Sequence, residues 1–233
     1  MLEPSVASSP NEPTARLRLV IVKADAQMYA AIILAGGRGE RLGGIDKAEL
    51  VGPSGRTTLE RAVGTCRDAE RLVVVGPKWS GNVRDGERQS IVWTREYPPY
   101  SGPARAIAKG VSELGDLDVP WVLVLACDMP FADELVPYLL AEAGRTPAFV
   151  DGIIPTTGGQ RQWLCAVYRL PALRDACGRL PRFGENESVK QLIDGLTLVD
   201  LHGFDSALVD IDTPDDLIAS GYRRRRRVPL NNG

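Results

Sequence analysis

The chain has 233 residues, with 28 Lys and Arg against 30 Asp and Glu for a net charge of −2. The length suits one domain, and the charge balance gives no global attraction to nucleic acid. Its four cysteines (Cys66, Cys127, Cys165, Cys177) form no C-x-x-C pair, and the one histidine is His202, which argues against a structural zinc motif or a disulfide framework.

Free thiols suit a reducing cytoplasm, which is the expected location. No apolar run approaches the ~20 residues that cross a bilayer, and the first residues lack the basic-then-apolar order of a secretory signal. Residues 1 to 27 open on a stretch rich in Pro, Ser, Glu and Thr and are expected to be a largely disordered extension, with one possible short strand at Leu17 to Lys23. A single domain is predicted over 28–221, followed by a basic tail over 222–233 that carries the arginine run Arg223 to Arg227 and is expected to be solvated.

Within the domain, Tyr29 to Ala35 reads as a buried strand that feeds a glycine-dense loop. Thr57 and Glu60 form a capping-box pattern that opens a helix through about Asp68. Arg71 to Gly76 and Ile91 to Thr94 read as strands, with a polar loop over Pro77 to Arg88 between them. Arg95 to Ser101 is too rich in proline for regular structure. Pro103 begins a helix through Leu114, Pro120 to Ala126 is an apolar strand, and Asp133 to Ala143 is helical. Further on, Gly152 to Pro155 and Trp163 to Tyr168 are predicted to form a hairpin around the turn Thr157 to Gln160. Pro171 to Cys177 and Ser188 to Asp194 read as helices, Leu196 to Leu201 and Ala207 to Ile211 as strands, and Thr213-Pro214 starts a last helix.

This alternation predicts βαβ units: an α/β fold, a single Rossmann-like domain whose mostly parallel sheet is flanked by helices. In such sheets ligands sit beyond the carboxyl ends of the strands. The glycine loop and Asp128 both follow strands, so both fall on that edge. The loop holds Gly36, Gly37, Gly39, Gly43 and Gly44, interleaved with the cations Arg38, Arg41 and Lys47. Glycines let the backbone approach an anion, and consecutive N–H groups form an anion nest. The Walker pattern fails because Lys47 is followed by Ala48, and the dinucleotide fingerprint fails at Leu42. Phosphate binding remains the better reading over a plain surface loop.

The segment Leu34-Ala35-Gly36-Gly37-Arg38-Gly39-Glu40-Arg41-Leu42-Gly43-Gly44-Ile45-Asp46-Lys47 resembles the signature loop L-A-G-G-x-x-x-R-x-G-x-D-K of nucleotidyltransferases, with one extra residue before Asp-Lys. Within that superfamily the chain is most similar to the molybdenum cofactor guanylyltransferases, from about Tyr29 to Ser220. The resemblance implies a nucleotide-diphospho-sugar transferase-like fold and transfer of GMP from GTP onto the phosphate of molybdopterin, with release of pyrophosphate. It implies Lys47, Arg41 and Asp128 as catalytic residues. It places the nucleotide on Leu34, Ala35, Gly36, Gly37, Arg38, Gly39 and Lys47, and on Glu96, Gly102, Pro103 and Asp128.

Asp128, in Cys127-Asp128-Met129-Pro130, matches the family's metal-binding C-D-x-P segment, and Asp210 in Asp210-Ile211-Asp212-Thr213-Pro214 is a second expected Mg²⁺ ligand. Arg161 and Asp212 are the expected acceptor contacts, Asp212 with a helix N-cap as its competing role. Asp46 reads as a turn residue orienting the loop. Arg105 departs from the family's apolar residue and puts local base contacts in question. Alternatives in the same chemistry are a cytidylyltransferase for the same pterin and a transferase for a sugar phosphate or phospholactate. A catalytically silent nucleotide-binding relative is the alternative from another class. A monomer or small homo-oligomer is expected, and neither membrane nor nucleic acid as partner.

Overall fold

In the computed structural model, which describes residues 28–37, 39–77, 91–181 and 187–225 and the backbone of Arg41, eight strands form one mixed sheet. They are β1 (Tyr29–Leu34), β2 (Arg71–Val75), β3 (Ile91–Thr94), β4 (Trp121–Ala126), β5 (Gly152–Thr157), β6 (Gln160–Arg161), β7 (Cys165–Arg169) and β8 (Leu198–Leu201). The order is β3-β2-β1-β4-β7-β5-β6, with β8 on β5. The first four strands run parallel, while β7 is antiparallel to β4 and to β5. Buried on both faces, β1, β2 and β4 are continuous apolar runs, as parallel strands must be.

The helices are α1 (Thr58–Thr65), α2 (Pro103–Glu113), α3 (Ala132–Ala143), α4 (Leu170–Gly178), α5 (Val189–Leu192) and α6 (Pro214–Ala219). Side chains alternate between the two faces of a strand. Ala31, Ile33, Leu72, Val74, Leu123 and Leu125 therefore pack with α1 and α3 in one core. Ala30, Ile32, Val73, Val75, Val122 and Val124 pack with α2, α4 and α5 in a second. Contact on the second face is tight: a Cβ on Gly110 of α2 would lie 2.5 Å from Cγ2 of Ile32. A third, smaller core joins Leu42, Leu50, Ile211 and Tyr222.

The capping box at Thr57 forms as read, with Glu60 N–H donating to Thr57 Oγ1 at 3.1 Å and Thr57 N–H to the Glu60 carboxylate at 2.7 Å. Ser188 and Gln191 form another, although α5 is only four residues long. The hairpin is found between β5 and β6, and Cys165–Arg169 continues as β7 between β4 and β5. Ala207 to Ile211 is not a strand. Its buried residues are Ala207, Leu208 and Ile211, a spacing that no period of two produces. A 3-10 turn, Asp205–Ala207, stands there instead, followed by irregular backbone. The expected strand at Leu17 to Lys23 and most of the loop over Pro77 to Arg88 lie outside the described residues.

None of the four cysteines is in a disulfide, and Cys66, Cys127 and Cys165 are buried. Burial pushes the thiols up, Cys165 and Cys177 to about 12 and Cys66 and Cys127 well above the ordinary range. Only the thiolate is nucleophilic, and at pH 8 a thiol of that kind is ionised to about one part in 10⁴. The native protein is therefore expected to leave Ellman's reagent almost unreacted at pH 8, and all four thiols to titrate once guanidinium unfolds it. Rapid reaction of two or more native thiols would contradict this burial.

Candidate active site

Leu34 stands opposite Ala126 in the β1–β4 register, so the segments that leave these two parallel strands emerge side by side. Cys127 N–H still bonds to Leu34 C=O at 3.0 Å, and Ala35 N–H to Val75 C=O at 2.8 Å, so the ladder extends to the start of the glycine loop. Beyond it the chain turns through Gly39 (φ 59°), Gly43 (φ 71°) and Gly44 (φ 77°), the left-handed region that glycine enters at least cost. Gly39 C=O accepts from both Leu42 and Gly44 N–H at 2.9 Å, which closes the loop on itself around the 3-10 turn Glu40–Leu42.

Lys47 opens a second 3-10 turn, Lys47–Glu49. Asp46 caps it, accepting from Ala48 N–H at 3.0 Å, the orienting role read for it from sequence. The hydroxyl of Thr58, at the start of α1, donates to Lys47 C=O, so the lysine backbone is tied to a helix end. From this fixed base the Lys47 ammonium donates to Asp128 Oδ2 at 2.7 Å and also to Asp212 Oδ1. These residues are 81 and 165 positions away in sequence. Asp128 C=O accepts from Ile211 N–H at 3.1 Å, and this backbone bond brings Asp212 within reach. Burial alone would lower the Lys47 pKa, but the charges and hydrogen bonds of Asp128 and Asp212 more than offset it and hold Lys47 above its ordinary value.

Asp212 is thus not the helix N-cap. Thr213 fills that role in a capping box with Asp216. Asp210 is exposed, and burial of part of its carboxyl, with the charges of Asp212 and Asp128, raises its pKa. Among the described residues no three His, Cys, Asp or Glu side chains converge tightly enough to cage a metal. Magnesium does not require that, since it commonly takes one or two carboxylates and completes its shell with water and phosphate oxygens. The donor set fits this ion: two carboxylates already share one cation, the Lys47 ammonium.

A cleft of about 830 Å³ lies over this cluster. One wall is the glycine loop from Leu34 to Gly37, with Gly39 and Glu40. The floor holds Lys47, Cys127, Asp128 and Asp212, and the far wall is Glu96 with Pro98 to Pro103. Gly102 starts α2 at φ 100°, and Pro103 follows in the first turn, where its missing N–H is harmless. Glu96 is 6% exposed. Its Oε1 accepts from Tyr100 N–H at 2.9 Å, while Oε2, like the hydroxyl of Ser101, has no hydrogen-bond partner among the described residues. Buried polar atoms without a partner are rare and call for one.

The structure therefore brings together Leu34, Ala35, Gly36, Gly37, Gly39, Lys47, Glu96, Gly102, Pro103, Asp128 and Asp212 around one cleft. Arg38 and the side chain of Arg41 lie outside the described residues. Arg161 is absent from the cleft lining; it pairs with both oxygens of Asp200 at 2.6 and 3.0 Å and lies over the Trp163 ring. Arg105 bonds to Glu187 and to Pro181 C=O, and it does not line the cleft. Ser101, in the cleft wall, had no sequence signal apart from its place before Gly102-Pro103.

Comparison with known proteins follows this geometry. Residues 31–196 match the family model described as the MobA-like NTP transferase domain. A probable molybdenum cofactor guanylyltransferase of Chloroflexus aggregans is 33% identical over 205 residues, covering 82% of this chain and 92% of that protein. One from Natronomonas pharaonis is 27% identical over 202 residues, covering 80% and 93%. In fold, molybdopterin-guanine dinucleotide biosynthesis protein A of Archaeoglobus fulgidus superposes with a TM-score of 0.62 at 23% identity, over 82% of this chain and 96% of that one. The 2-C-methyl-D-erythritol 4-phosphate cytidylyltransferase of Thermus thermophilus gives 0.55 at 21%, over 82% and 96%. With its family model spanning most of the domain, and with the glycine loop, lysine and aspartates in one cleft, the chain belongs to the MobA-like NTP transferase family.

Proposed function

We propose that this nucleotidyltransferase moves GMP from GTP onto the terminal phosphate of molybdopterin. A phosphate oxygen of the acceptor bonds to the α-phosphorus of GTP, the bond from that phosphorus to the bridging oxygen breaks, and pyrophosphate leaves with the electron pair. The acceptor oxygen is already ionised at neutral pH, so no general base is needed. The observation that carries the reading is the cluster of Lys47, Asp128 and Asp212 facing a glycine loop in one cleft.

Lys47 is placed to offset charge as it develops on the departing pyrophosphate. Gly36, Gly37 and Gly39 present backbone to the triphosphate. Asp128 and Asp212, with Asp210 beside them, would hold Mg²⁺, which when bound neutralises phosphate charge and orients the groups. The guanylyltransferase names of the relatives support GTP and the pterin acceptor. So does Glu96. Guanine offers two adjacent donors, N1–H and N2–H, and a carboxylate oxygen that lacks a partner suits them.

The test is Mg²⁺-dependent binding of GTP, CTP, ATP and UTP by thermal shift, followed by pyrophosphate release with molybdopterin. GTP is expected to give the largest shift, since a ligand of the native state raises the melting temperature by mass action. Glu96→Gln is expected to erode the preference for GTP over ITP, which lacks the N2 amine, by about 5- to 100-fold, the range of one bidentate polar contact. A largest shift with CTP would move the reading to a cytidylyltransferase. Binding without turnover on any acceptor would favour a silent relative.

A further inference from the structure

The third core has an unusual membership. Leu42 and Ile45 come from the glycine loop, Ile211 from between Asp210 and Asp212, and Leu217 from α6; Tyr222 closes them off. One small apolar cluster thus joins the proposed phosphate loop to the second acid segment, and its last member comes from the start of the basic tail. Tyr222 is 5% exposed. Its ring lies so close on Gly52 that a Cβ there would be 2.7 Å from its Cζ. Arg223 pairs with Val51 in both directions, at 2.8 and 2.9 Å. Arg224 then reaches back to donate to Leu42 C=O at 3.4 Å.

A loop with three left-handed glycines has little conformational preference of its own. Its position depends on what its apolar side chains are packed against, and the cluster they join holds Leu50, Ile211, Leu217 and Tyr222. We propose that Tyr222 and Arg224 are positioning residues for nucleotide transfer. Tyr222 sets the glycine loop at its distance from Asp212 by closing their shared core, and Arg224 holds the loop through Leu42 C=O. The beginning of the basic tail is then a clasp on the phosphate loop. This rests on the reading of the cleft as a nucleotide site.

The test uses the full chain with Mg²⁺ and GTP. Tyr222→Phe should bind as the unaltered protein does, because the tyrosine hydroxyl has no hydrogen-bond partner among the described residues. Tyr222→Ala should raise Kd and KM by about 10-fold or more, since sub-ångström misplacement of a binding group is costly, with a smaller change in kcat. Hydrogen exchange should quicken at Leu42, Gly43, Gly44 and Ile211 while β1 and β4 stay protected. Arg224→Ala, a change at an exposed side chain that leaves the fold intact, should raise KM several-fold and quicken exchange in the loop.

If both alanine variants bind and exchange like the unaltered protein, the positioning role is overturned while the nucleotide site stands. If Tyr222→Ala does not fold, Arg224→Ala decides, and unchanged KM and exchange overturn the proposal. If the unaltered protein binds none of the four nucleotides, the site reading falls and this proposal falls with it.

Discussion

Lys47→Ala is expected to lower kcat for pyrophosphate release by about 10²- to 10³-fold, the usual cost of removing one preorganised donor aimed at developing charge. Its effect on binding should be smaller, because the glycine loop remains. A second effect is visible in the absence of nucleotide. In the free protein the ammonium offsets one of the two negative charges of Asp128 and Asp212, whose side chains are 17% and 34% exposed. Without it two carboxylates face each other, so the ligand-free fold should lose about 1–2 kcal/mol, below the cost of breaking a fully buried pair. Divalent cations should then stabilise the variant more than the unaltered protein, because no ammonium competes for the carboxylates. Manganese binding followed by electron paramagnetic resonance, without nucleotide, measures this directly. A variant that binds manganese more weakly than the parent would show that the two carboxylates are not the metal's donors. The folded-state Lys47 pKa is raised, so the lysine's contribution to stability is complete at neutral pH and is lost only as pH rises through that raised value.

Gly39→Ala is expected to abolish productive nucleotide binding, with Kd for Mg²⁺–GTP raised at least about 10²-fold. A Cβ at Gly39 would lie 2.0 Å from Ile45 C=O, and that oxygen belongs to backbone, which cannot rotate aside. The residue also sits at φ 59°, where a side chain costs about 1–2 kcal/mol even without a clash. Both penalties are met only by refolding the loop from Gly39 to Ile45, which moves Lys47 as well. The two large cores are untouched, so the melting temperature should fall by only a few degrees, in line with about 1–2 kcal/mol. Gly37→Ala is the control: nothing among the described residues lies within 4 Å of its Cβ position and its φ is not positive. It should keep the loop conformation, whatever the methyl does to ligand. Calorimetric titration of both variants decides the matter, and Gly39→Ala binding within threefold of the parent would sink the idea.

Much of the sheet was readable from local pattern. β1, β2 and β4 are uninterrupted apolar runs because both of their faces are covered, and Thr57 with Glu60 marks a helix start through bonds three residues apart. The edge shared by the glycine loop and Asp128 followed from strand direction alone. The partnership of Lys47 with Asp212 did not, since it spans 165 positions and depends on a backbone bond from Ile211 to Asp128. The alternation in Val209-Asp210-Ile211-Asp212 reads as a strand, and the segment is irregular instead because Ile211 packs in the small core with Leu42 and Tyr222. Arg161 is expected at the acceptor only through the family resemblance, and its actual neighbour Asp200 lies on a strand whose place in the sheet the sequence did not reveal.

The third core has a consequence for how the protein is made. Every strand of the sheet is complete by Leu201, yet Asp212 and Tyr222 are still to come. A nascent chain can therefore pair the described strands before Asp212 reaches Lys47, although Phe204, Ala207 and Leu208 still have to join the core that α1 and α3 cover. The cleft takes its described form only when Arg223 and Arg224 lie back against Val51 and Leu42. Assembly of the cleft thus depends on a segment that follows the sheet in sequence, since Asp212 and the cover that Tyr222 lays on the glycine loop both come after Leu201.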